Sequence, residues 1–277
     1  MFDRFSRSWA LAKASASVLK SDKELLLFPV ISTVATLIVI ATFAIPVFAL
    51  NLFANGEADP LAFVLGFLFY VTQYFVIFFF NTALVGAAMI RLEGGDPTVR
   101  DGLNIAMSRI GPILGYAAIA ATVGMILNAL KERAGFLGDM VINLVGAAWT
   151  VATAMVVPVL VAQNVGPVDA IKESVSLLKK TWGENILGNA GIGLAFGLVI
   201  AATVVVGVIL AIVLSAVSPW LALGVVVLTV IAVLTLGVVQ AALSGIYAAA
   251  LYRYAVDGEA PPGFEGGALQ MAFQPKA

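Results

Sequence analysis

The sequence predicts an all-α membrane protein: six transmembrane helices in three repeats of an amphipathic helix plus a transmembrane hairpin. Three observations predict it. Hydrophobic residues make up 61% of the 277 and charged residues only 11%, with a mean hydropathy of +1.05, whereas soluble domains carry about 25% charged residues. Long stretches of the chain contain no charge. A segment with an apolar residue every three or four positions precedes each pair of such stretches.

The charge-free intervals place the spans, because a spanning helix needs about 20 apolar residues. Glu24 to Glu57 holds span 1 (26–50), and Asp59 to Arg91 holds span 2 (61–90). Arg109 to Lys131 holds span 3 (111–130), and Asp139 to Asp169 holds span 4 (138–163). Glu184 to Arg253 is long enough for two helices; Ser218-Pro219 divides it into span 5 (186–214) and span 6 (220–252), since proline breaks a helix there. The charged segment up to Glu24 is far longer than a signal-peptide n-region, so span 1 is expected to be retained.

Lysine and arginine set the expected orientation. The first 24 residues, the loop after span 2, the loop after span 4 and the C-terminal segment carry 13 of the 15 basic residues. The opposite loops carry only Lys131 and Arg133. By the positive-inside rule both termini face the cytoplasm. One six-span domain then covers 1–256, with repeat units at about 1–92, 96–163 and 166–252, followed by a cytoplasmic tail at 257–277.

The three amphipathic stripes run Phe2, Phe5, Trp9, Ala12, Ala16, Leu19; then Val99, Leu103, Ala106, Ile110; then Val168, Ile171, Val175, Leu178, Trp182. Their spacing is that of a one-sided helix. Asp96-Pro97 and Gly166-Pro167 offer helix starts for the second and third. Two readings of these helices stand: packing against neighbouring spans, or contact with lipid headgroups. Phe2, Arg4, Phe5, Arg7, Trp9 and Lys13 are the candidates for a lipid interface, where an aromatic stripe beside basic groups suits anionic headgroups.

Small residues recur at four-residue spacing in span 5 (Gly193, Gly197, Ala201) and span 6 (Gly237, Ala241, Gly245, Ala249). Such faces let helices approach closely; the other reading is a pore or a backbone-lined groove. Polar residues within the spans are few: Gln73, Asn81, Thr82, Asn128, Asn143, Gln163, Asn189 and Gln240. Asn81 and Gln240 are the polar intramembrane candidates.

Catalytic, cofactor-binding and metal-binding residues are not expected. The chain has no Cys and no His, which removes thiolate and imidazole ligands, Cys nucleophiles and His bases. Ser174 with Lys179 is the remaining formal Ser–Lys pair, and an ordinary helix surface displays both types. A net charge of −1 gives no basic footprint for nucleic acid.

Several stretches carry a resemblance: Ser8-Trp9-Ala10-Leu11 with Asp22-Lys23-Glu24-Leu25 and Phe28-Pro29; Phe80-Asn81-Thr82-Ala83 leading to Arg91-Leu92 and Gly95-Asp96-Pro97-Thr98; Val157-Pro158-Val159-Leu160; Gly166-Pro167-Val168-Asp169-Ala170; Thr181-Trp182-Gly183-Glu184-Asn185; and Ala250 to Ala255 before Pro262-Gly263-Phe264. Together they resemble a prokaryotic integral-membrane family of unknown function. A fainter likeness is to the membrane domain attached to some glycerophosphodiester phosphodiesterases, whose hydrolase domain this chain lacks. The resemblance implies a prokaryotic cytoplasmic (inner) membrane and brings no substrate or site residues. The expected function is a non-enzymatic membrane scaffold, assembly factor or lipid-interacting protein. The alternative is a passive channel or small-solute transporter. The expected partners are the bilayer, anionic lipid headgroups and unidentified proteins.

Overall fold

The computed structural model describes residues 2–49, 60–180, 185–262 and 264, with side chains at 11–49, 61–135, 138–179, 192–262 and 264. Among the described residues every regular element is a helix. It comprises α1 (Phe2–Ser21), α2 (Leu27–Ala49), α3 (Pro60–Leu92), α4 (Val99–Ser108), α5 (Ile110–Lys131), α6 (Phe136–Ala152), α7 (Val156–Ala162), α8 (Pro167–Lys180), α9 (Asn185–Ser215) and α10 (Pro219–Asp257). A 3₁₀ turn, Lys23–Leu26, joins α1 to α2. Six helical segments are long and apolar enough to cross a membrane, which is the build of a multi-pass membrane protein. The predicted spans match them to within a few residues, except that span 4 is two helices, α6 and α7.

Burial is confined to one end of the bundle. Buried side chains come from α1, the start of α2, the end of α3, α4, the start of α5, α7, α8, the start of α9 and the second half of α10. In 30–81, 122–154 and 193–241, Gly207 is the one buried residue among those described. The packed end carries Arg91, Arg109, Lys172 and Arg253. Four polar links tie it together. The Val99 N–H, at the first turn of α4, donates to Glu24 Oε2 at 3.0 Å. Arg253 Nη1 lies 2.9 Å from Glu93 Oε1. Arg109 donates to Asn164 Oδ1, and Gln163 Nε2 donates to the Tyr252 hydroxyl at 3.2 Å.

The surface helices pack in a cyclic order. α4 lies mainly on α3, α8 on α7, α5 and α6, and α1 on α9 and α10. Each therefore covers spans other than the pair that follows it in the chain. α3 sits at the centre, touching α2, α4, α5, α7 and α10.

The buried lines on α1 and α8 differ from the predicted stripes by one residue. Leu11, Ser15 and Val18 are buried on α1, while Ala12, Ala16 and Leu19 flank them. Ala170, Ser174 and Leu177 are buried on α8, beside Ile171, Val175 and Leu178, of which Leu178 is also buried. The start of α4 also differs. Its cap is Thr98 rather than Asp96: Thr98 Oγ1 accepts from the Asp101 N–H at 3.3 Å, and Asp101 Oδ2 accepts from the Thr98 N–H at 2.9 Å. This reciprocal capping box satisfies two orphan donors at once, whereas Asp96 pairs with Arg91. Gly94, at φ +88°, makes the turn before it. Pro261 and Phe264, in the stretch assigned to the tail, are buried, and Phe264 belongs to the core.

Candidate functional site

The site forms where span 4 breaks. Pro158 has no N–H to give the Ala154 carbonyl, and its ring crowds that carbonyl, which favours a kink or break in the helix ahead of it. α6 ends at Ala152, and α7 restarts at Val156 with Pro158 in its first turn. The break leaves backbone groups without helical partners, which is costly away from water. Ser174 of α8 satisfies two of them: its hydroxyl donates to the Ala152 carbonyl at 2.7 Å and accepts from the Met155 N–H at 3.1 Å. Ser174 is fully buried. Its donor and an acceptor site are committed to the backbone, and Lys179 is exposed.

A cavity of about 360 Å³ lies beside the break. Its walls are the start of α2 (Pro29, Ser32), α3 (Ile77 to Val85), Tyr116 of α5, the break itself (Thr153, Ala154), α7 (Val157, Pro158) and α10 (Ala241 to Ala248). Polar groups on the wall are the Asn81 amide and the Ser32, Tyr116, Thr153 and Ser244 side chains; the rest is apolar. No carboxylate, ammonium or guanidinium lines it. The chemistry on offer is therefore hydrogen bonding to a neutral polar group.

Asn81 reaches the cavity because α10 approaches α3 closely at Gly245. A Cβ there would collide with Leu84 Cδ2 and come 3.5 Å from Asn81 Oδ1. Asn81 has no side-chain hydrogen bond among the described residues. On the side of the cavity away from the packed end, Tyr116 stacks on Phe78 with centroids 4.4 Å apart, and Phe78 stacks on Tyr74 at 5.6 Å. Beyond this aromatic layer lies a second cavity of about 350 Å³, between α3, α5 and α6.

The other sequence candidates fall in different places. Gln240 is half-buried on α10 and lies outside the cavity wall. Gly245 and Ala249 are buried, and Ala241 lines the cavity. Gly193, Gly197 and Gly237 have open space where a Cβ would stand, and Ala201 is exposed. The close approach between α9 and α10 is instead at Gly207, where a Cβ would collide with Thr229 Oγ1. Gln73 donates to Thr36 Oγ1 at 3.1 Å, linking α3 to α2. Lys13 is exposed on α1; the side chains of Phe2, Arg4, Phe5, Arg7 and Trp9 lie outside the described residues. Among the described residues no cluster of acidic side chains could hold a metal ion.

The electrostatics at the packed end are local. Burial pushes the Asp22 carboxyl above its ordinary value of 3.8, against the pull of the Glu24 N–H and Arg91. Hydrogen bonds from Thr98 hold Asp101 below that value.

Residues 61–263 match a family of unknown function, DUF6159. No curated protein and no solved structure matches the chain. The fainter likeness to the phosphodiesterase-linked membrane domain is not shown by these comparisons.

Proposed function

The chain belongs to that family of unknown function, and for it we propose a non-enzymatic, lipid-interacting role: the cavity at the span 4 break holds a neutral amphiphile taken from the bilayer. The observation that carries this is the pairing of a broken span with a largely apolar cavity whose polar groups are all uncharged. Irregular backbone at membrane depth is tolerated where it is buried in protein or lines a cavity. Here Ser174 satisfies the exposed backbone on one side, and the Asn81 amide offers two donors and an acceptor on the other. Hydroxyl or carbonyl groups near the head of an amphiphile fit that set, with its chain against Phe80, Leu84 and Val157.

The same reading keeps the protein in a prokaryotic cytoplasmic membrane with both termini inside. The basic residues gathered at the packed end support that orientation. The cyclic packing of α1, α4 and α8 supports three helix-plus-hairpin repeats, since each surface helix covers spans in the same way, shifted along by a repeat.

The test is the lipid that accompanies the full chain through purification in mild detergent, identified by mass spectrometry. A neutral amphiphile is expected to be retained, and Asn81→Leu to reduce it about fivefold, the size of one lost hydrogen bond. Unchanged retention in a folded Asn81→Leu, Ser244→Val double variant would reject the site. A second reading, passage of a small solute, is favoured by the second cavity beyond the aromatic layer. Solute flux into proteoliposomes that disappears in folded Asn81→Leu would replace binding by passage.

A further inference from the structure

We infer that the second cavity, between α3, α5 and α6, is a binding site for the anionic phosphate headgroup of a membrane lipid, anchored by Lys131. It is distinct from the cavity at the break and does not rest on the reading given for that one.

α5 and α6 are consecutive, yet they touch over far less of their length than the α9–α10 pair does. The gap between them is the cavity of about 350 Å³, lined by Tyr74, Gly124, Lys131, Asn143, Trp149 and Thr150 among others. It runs from Lys131, in the last turn of α5, to the level of Ala120 and Thr150. Eleven residues of helix make that about 16 Å. Leu130 and Leu144 beside it are 51% and 64% exposed, so the approach is through apolar surroundings. An occupant arriving that way carries hydrocarbon.

The polar end selects a different chemistry. Lys131 forms no ion pair among the described residues, and it is one of only two basic residues between spans on that side of the chain. Among the described residues Glu132, Arg133 and Asp139 are the other charged groups at this end, and none of them comes within ion-pair distance of Lys131; Glu57 and Asp59, in the loop between spans 1 and 2, lie outside the described residues. Asn128 donates to Glu132 at 3.5 Å. The Thr150 hydroxyl donates to the Gly146 carbonyl, so its proton is not offered to the cavity. Lys131 offers three donors and Asn143 two. A phosphate oxygen accepts and does not donate, so this donor set fits it. A lysine at a membrane boundary is drawn to anionic headgroups, and Trp149 places an amphipathic ring along the path of the chain.

The experiment uses the full chain with Trp149 as its only tryptophan (Trp9→Phe, Trp182→Phe, Trp220→Phe), reconstituted in phosphatidylcholine vesicles. Quenching of Trp149 by brominated phosphatidylglycerol is compared with quenching by brominated phosphatidylcholine. About a fivefold preference for the anionic lipid is expected, the size one basic residue confers near an anionic surface. Lys131→Gln should abolish the preference, Lys131→Arg should keep it, and Asn143→Leu should weaken it. Arg133→Gln should leave it unchanged. Equal quenching by both lipids would overturn the proposal. Equal loss in Arg133→Gln would assign the effect to general surface charge and also overturn it. Recovery of fluorescence on adding inorganic phosphate would give the site to a free anion instead of a lipid.

Discussion

At the end of the bundle that carries Arg91, Arg109 and Arg253, apolar side chains from nine helices face one another. At the other end the same residue types face outward: Phe48 is 78% exposed, Ile212 66%, Leu228 67% and Trp220 81%. Composition does not separate the two ends; what differs is the partner. At the packed end α1, α4 and α8 lie over the spans, and the polar links among loops hold them there. At the open end the partner is hydrocarbon, which is as apolar as leucine and gives no drive for helices to close on one another. Three short surface helices thus account for where this protein is solid. The two cavities lie where their cover runs out.

The largest contrast should come from glycine. Gly245→Leu sets a side chain against Leu84 at a contact already closed to a Cβ. It is expected to destabilise at or above the range of about 1–3 kcal/mol seen for overpacking. Gly197→Leu meets nothing within 4 Å and should stay within about 0.5 kcal/mol of the parent. Thermal unfolding in detergent measures both. Equal losses would mean that the open end is packed in solution.

Next is the clamp on the break. Ser174→Ala leaves the Ala152 carbonyl and the Met155 N–H without their partner, at about 1–3 kcal/mol for buried unsatisfied groups. Ser176→Ala on the same helix should change little. If the two variants unfold together, the break does not depend on α8. A smaller effect is expected at α4. Thr98→Ala removes the capping box, at about 1 kcal/mol, and should loosen α4 in hydrogen exchange before it affects the spans.

The smallest effect is pH-dependent. Because burial raises the Asp22 carboxyl in the folded protein, the folded state binds its proton more tightly than the unfolded state does. Ionising it costs stability as pH rises through the raised value, and that cost is absent below the ordinary 3.8. Asp22→Asn keeps the acceptor for the Glu24 N–H without the charge. It should therefore be at least as stable as the parent at neutral pH, with the difference vanishing in acid. A variant less stable at neutral pH would show that the Arg91 attraction outweighs burial.

The spans were legible because insertion into hydrocarbon forbids charge, and the charge-free intervals record that directly. The break in span 4 was not, since hydropathy averages over it; Pro158 was the available signal. The buried lines on α1 and α8 were displaced by one residue for a related reason. Ser15 and Ser174 are polar and so read as solvent-facing, yet both lie at the centre of the buried face. The small-residue ladders give spacing but no direction: Gly197 and Gly245 look alike in sequence, and only the second meets a helix. Asn81 was visible as a polar residue in an aromatic run, but its cavity depends on α7 and α10, far away in the chain. Orientation has its own direct check: Ser108→Cys, at the exposed end of α4, should resist an impermeant thiol reagent added outside intact cells.

The most direct measurement of the central claim uses the absence of native cysteine. Ser244→Cys places a thiol on the wall of the cavity at the break, and Ala129→Cys places one on the exposed surface of α5. The rate of modification by a small uncharged thiol reagent is followed in delipidated protein and after adding back the extracted neutral lipid. Lipid is expected to slow the reaction at Ser244→Cys severalfold while leaving Ala129→Cys unchanged. Equal rates at Ser244→Cys with and without lipid, in folded protein, would contradict an amphiphile in the cavity.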